Sequence, residues 1–149
     1  MEGLAEKRKN GNRTSSGKGG KARGYEPKVL VLDDDFDISQ LIKQILQKDN
    51  FKNVFAFTDP LLALEHFRKN QEEYSLIISD IRMPTMNGFQ FVRETKKINP
   101  KVKIVLMTAF EIDNKEFARV LPEPKIDGLI RKPASAKQIL NTVSSIVND

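Results

Sequence analysis

The sequence predicts an α/β fold: a five-stranded parallel sheet with helices on both faces. Three observations predict it. Short apolar runs recur five times along the chain, and each is followed by a segment suited to a helix. The runs are continuously apolar, as expected of strands buried on both sides. Strands alternating with crossover helices give a parallel sheet wound right-handed.

The first run, Val29 to Leu32, ends in Asp33, Asp34 and Asp35. Ile38, Leu41, Ile42, Ile45 and Leu46 then follow helical spacing, so a helix starts near Asp37. Val54 to Phe57 is the second strand. Asp59 is placed to cap the next helix and Pro60 to be its first residue, because proline lacks the N–H that a helix start leaves unbonded. Leu62, Leu64 and Phe67 belong to that helix. Leu76, Ile77 and Ile78 form the third strand, which runs through Ser79 to Asp80. Pro84, Asn87 and Gly88 mark a turn, and Phe89, Phe91 and Val92 open the third helix. Lys103 to Met107 is the fourth strand and ends in Thr108. A helix is expected over 112–121, stopped by Pro122 and Pro124. Gly128 to Ile130 is the fifth strand and ends at Lys132-Pro133. Ser135 caps a last helix with Ile139, Leu140, Val143, Ile146 and Val147 on one face.

The 149 residues suit one domain with a single core. With no cysteine there is neither a disulfide framework nor a thiolate metal site. No run of about 18 apolar residues is present, so no membrane span is expected. The glycine-rich, charged start has no apolar segment behind it and does not read as a secretory signal. A cytoplasmic protein is expected.

Residues 1–26 carry seven basic and three acidic side chains, hence four of the five net positive charges. They also hold six of the eight glycines and almost no large apolar groups. Such a segment buries too little surface to offset its ordering entropy. It reads as a disordered basic tail ahead of a domain over 27–149. The tail has two readings: a weak electrostatic contact with nucleic acid or another anionic surface, or a solubilising extension with no partner. No aromatic residue precedes Tyr25, which argues against base stacking.

In a parallel sheet the strand ends share one edge, where ligands bind in open α/β folds. Asp33, Asp34, Asp80, Thr108 and Lys132 all fall there. Asp33 to Asp35 alone would also suit the acidic start of a helix. A Thr ending a strand, or a Lys before Pro, is ordinary by itself. Together they form a chemical set. Clustered carboxylates resist ionising unless a cation joins them, and a hard oxygen-ligated ion such as Mg²⁺ fits. Asp80 could attack phosphorus and form an acyl phosphate. Lys132 would pair with one phosphoryl oxygen and Thr108 would donate to another. His66 is the only histidine and lies in the second helix, which suits a packing or surface residue. A zinc site would need further ligands.

Four stretches carry a family resemblance: 29–35, 76–88, 105–109 and 128–133. With them, residues 28–149 resemble a receiver domain of two-component response regulators, of the stand-alone CheY-like kind. The resemblance implies a (βα)5 flavodoxin-like fold with strand order 2-1-3-4-5. It implies that Asp80 accepts the phosphoryl group. Asp34 would ligate Mg²⁺ directly and Asp33 through water, with Asp80 and the backbone carbonyl of Arg82 completing the protein ligands. Thr108 and Lys132 match the switch hydroxyl and the phosphate-pairing lysine.

Such a domain is not a conventional enzyme. It catalyses its own aspartate phosphorylation, with phosphate from a histidine kinase or phosphotransfer protein in a phosphorelay, and then changes its binding to a downstream protein. The responding surface would comprise the helix over 112–121, the fifth strand and the last helix. Leu129 departs from the family pattern, standing where an aromatic residue often couples to the hydroxyl. Arg82 and Phe110 would flank the phosphoryl group; both are bulky, so slow self-dephosphorylation is expected.

A phosphorylation-independent interaction module on the same fold is the alternative. A dehalogenase-type phosphatase is disfavoured, because its second aspartate would stand two positions after Asp80, where this chain has Arg82.

Overall fold

The computed structural model describes residues 26–109 and 126–148. Strand β1 (Lys28–Leu32) leads into helix α1 (Phe36–Lys48), followed by β2 (Asn53–Phe57) and α2 (Pro60–Asn70). A short 3₁₀ turn, Gln71–Glu73, precedes β3 (Tyr74–Asp80) and α3 (Gly88–Ile98). Then come β4 (Lys103–Thr108), β5 (Gly128–Arg131) and the last described helix, α4 (Ala136–Val147). The five strands form one parallel sheet in the order β2-β1-β3-β4-β5. All of the tail expected over 1–26 except Glu26, the helix expected over 112–121 and Phe110 lie outside the described residues.

Two apolar layers cover the sheet. On one face Val29, Val31, Ile78 and Val105 pack with Ile42 and Leu46 of α1 and with Ile139 and Val143 of α4. On the other, Leu30, Leu32, Ile77 and Leu106 pack with Phe67 of α2 and Phe91 of α3. The alternation follows from the two-residue period of a strand: odd and even positions face opposite sides. The central strand β3 therefore has no solvent face, which explains its unbroken apolar run.

Local chemistry sets the helix starts. Asp35, Asp59, Asn87 and Ser135 each place a side-chain oxygen on a free N–H of the helix that follows. Pro60 opens α2 as expected. Helix α1 starts at Phe36, one residue before Asp37, because Asp35 supplies the cap.

Strand β3 is longer than its apolar run. It begins at Tyr74, which pairs with Lys28 ahead of a register shift. Tyr74 is buried, and its hydroxyl lies 2.6 Å from His66 Nε2. His66 thus packs against β3 and the rings of Phe55 and Phe57, a structural placement. No described helix is long and apolar enough to cross a membrane.

Candidate functional site

The carboxyl edge of the sheet gathers the charged residues. Asp33 is one residue past β1 and only 2% exposed. Its N–H donates to the Phe57 carbonyl at 3.1 Å, and its Oδ1 accepts from the Asp35 N–H at 2.9 Å. Asp34, the next residue, faces solvent. Asp80 is the last residue of β3, and its Oδ1 accepts from the Ile81 N–H at 2.9 Å.

Thr108 is buried at the end of β4. Lys132 directly follows β5, and its backbone N–H donates to the Thr108 carbonyl at 2.8 Å, which ties these two strand ends together. Arg82 follows in the loop after β3 and is exposed.

Lys132 bridges the acids. Its Nζ lies 2.8 Å from Asp33 Oδ2 and 3.6 Å from Asp80 Oδ1. One oxygen each from Asp33, Asp34 and Asp80 lies within 4.8 Å of the others. Burial pushes the Asp80 carboxyl up; the Lys132 charge and the Ile81 N–H pull it down, but Asp33 and Asp34 add to the rise, and the net shift is upward. Burial also works to lower the Lys132 ammonium. The hydrogen bond to Asp33 and the charges of Asp33 and Asp80 overcome it, so its pKa is raised.

The donor set fits a hard divalent cation. All three acidic ligands offer oxygen, and one ammonium leaves them under-neutralised. Asp33, Asp34, Asp80 and Lys132 are thus drawn into one cluster, with Thr108 tied to its lysine. The side of α2 that holds His66 takes no part in it.

Two features of the loop after Asp80 went beyond the turn read from its composition. The first is a close backbone approach at Gly88. A Cβ there would stand 2.4 Å from the Asp80 carbonyl oxygen and 2.9 Å from Ile81 Cα, so only glycine fits. The Gly88 N–H donates to the Ile81 carbonyl at 2.7 Å, which docks the start of α3 onto the end of β3. The second is a capping box, in which Asn87 and Gln90 exchange side chain-to-backbone hydrogen bonds at 2.9 Å. Its three-residue spacing, Asn87 to Gln90, is visible in the sequence. The Gly88 contact has no such signal, since it depends on how the helix meets the strand.

Comparison with known proteins agrees with this fold. A family model described as the response regulator receiver domain matches residues 29–144. The chain is 27% identical over 121 residues to the transcriptional regulatory protein CpxR homolog of Haemophilus influenzae, covering 80% of this chain and 50% of that protein. It therefore spans about half the length of that relative. It is also 27% identical to the response regulator receiver protein CpdR of Brucella abortus, covering 80% of this chain and 96% of that one. A crystal structure of a response regulator receiver domain protein from Clostridium thermocellum superposes with a TM-score of 0.73 at 27% identity, covering 82% of this chain and 94% of that one.

Proposed function

The chain belongs to the response regulator receiver domain family, and from that premise we propose that Asp80 accepts a phosphoryl group from a phosphohistidine and that the modified domain binds its partner differently. The donor is a histidine kinase or a phosphotransfer protein. The observation that carries the reading is Lys132 seated between Asp33 and Asp80 with a third acid, Asp34, alongside. A scaffold with no phosphoryl chemistry gains nothing from under-neutralised acids around a half-buried carboxylate.

In the proposed step an Asp80 carboxylate oxygen forms a bond to phosphorus. The P–N bond of the donor breaks, and its electron pair stays on the imidazole nitrogen. Lys132 pairs with a phosphoryl oxygen as a compact charge, and Thr108 donates its hydroxyl to another. Asp33, Asp34, Asp80 and the Arg82 carbonyl would hold Mg²⁺, which when bound neutralises charge on the transferring group.

The test is intact-mass spectrometry after incubation with acetyl phosphate, with and without Mg²⁺. One added phosphate that requires Mg²⁺ and is lost in Asp80→Asn is the expected result. Equal labelling of Asp80→Asn, or no labelling of the wild type, would contradict the proposal. Arg82, bulky and expected to flank the phosphoryl group, further leads us to expect slow spontaneous loss of the phosphate. Loss within seconds in the purified protein would count against that.

A further inference from the structure

We propose that Ser79 is a positioning residue for Asp80: its buried hydroxyl fixes the peptide plane that aims the acceptor carboxylate. The inference rests on the phosphoacceptor reading above. Ser79 is the penultimate residue of β3 and is 0% exposed. In register it stands between Leu32 of β1 and Leu106 of β4. Ile77, two residues before it on the same face, lies in the apolar layer under α2 and α3. A hydroxyl in such a layer is unfavourable unless it is hydrogen-bonded. Ser79 Oγ meets that need by donating to the Asp80 carbonyl oxygen at 2.9 Å.

That carbonyl and the Ile81 N–H belong to one planar peptide unit. Ser79 holds the oxygen end. The Ile81 N–H points to the Met107 carbonyl at 3.1 Å and to Asp80 Oδ1 at 2.9 Å. Gly88 closes on the same carbonyl from α3, with no space for a side chain between them. Rotation of this plane would therefore swing the N–H that orients Oδ1, the oxygen 3.6 Å from Lys132. Ser79 acts through the Asp80 peptide, not on the phosphoryl group itself.

The experiment compares wild type with Ser79→Ala, Ser79→Cys and Ser79→Thr. Phosphorylation rate is measured against acetyl phosphate concentration in Mg²⁺, and a urea denaturation midpoint is recorded for each protein. Losing one buried hydrogen bond that holds the reacting geometry is expected to slow the maximal rate about fivefold in Ala and in Cys, a weak donor. The half-saturating donor concentration should stay unchanged, and Thr, which keeps the hydroxyl, should retain most of the rate.

Wild-type rates in Ala and Cys would overturn the inference. So would rates that simply track the denaturation midpoint across all three variants, which is the mark of a packing role. Wild-type protein that takes no phosphate would instead overturn the acceptor reading, and this inference with it.

Discussion

A carboxylate held against its own ionisation defines the chemistry at the residue scale. Burial raises the Asp80 pKa above its ordinary value of 3.8, despite Lys132 nearby. The folded state then binds a proton more readily than the unfolded chain between 3.8 and the raised value. Stability contributed by Asp80 consequently falls as pH rises through that window, and at neutral pH its charge is a net cost. Asp80→Asn keeps the shape and removes the charge. It is expected to raise the urea midpoint at pH 7, with the gain disappearing on acidification below about 3.8, the unperturbed carboxyl value. A midpoint that falls at pH 7 would show that the Lys132 contact outweighs burial. The acidic trio and Lys132 were legible as chemistry because their residue types fall together at the strand ends of a parallel sheet. That Lys132 rests nearer Asp33 than Asp80, at 2.8 Å against 3.6 Å, was not, because side-chain reach across a strand end has no pattern along the chain.

Helix starts and strand ends carry the precision at the scale of elements. Asp59-Pro60 and Ser135 announced α2 and α4 because capping is a short-range hydrogen bond with a fixed residue preference. The start of β3 at Tyr74 was hidden, since the polar Ser75 separates Tyr74 from the apolar run and only pairing with β1 extends the strand. Gly88 was legible as a turn residue but not as a contact. A methyl group at that position would meet backbone atoms of Asp80 and Ile81, neither of which can swing away. Gly88→Ala is expected to cost about 1–3 kcal/mol in chemical denaturation, the usual penalty for overpacking. It should also slow the proposed phosphorylation of Asp80, because the shifted backbone carries that carboxylate. A variant as stable as wild type would show that α3 can move off the strand freely.

The sheet assembles the site across the whole molecule. Asp33 and Lys132 are 99 positions apart in the chain, yet they share a hydrogen bond because β1 and β5 are parallel and end on one edge. This is why so much of the site could be read from apolar runs: five strands of one direction force their ends together, whatever the loops do. Three clustered acids, two of them paired with Lys132, would make the folded state a better ligand for a divalent cation than the unfolded chain. Mg²⁺ at roughly a hundredfold excess over its dissociation constant should stabilise the fold by about 2.7 kcal/mol, and Asp34→Asn should blunt the effect. A thermal midpoint indifferent to Mg²⁺ in the wild type would mean that the acids are arranged for something else.

The most direct measurement is to trap the acyl phosphate chemically and map it by peptide mass spectrometry after reaction with a phosphodonor and Mg²⁺. Modification confined to Asp80 is the expected result. Modification at Asp33 or Asp34, or at no carboxylate, would contradict the central claim.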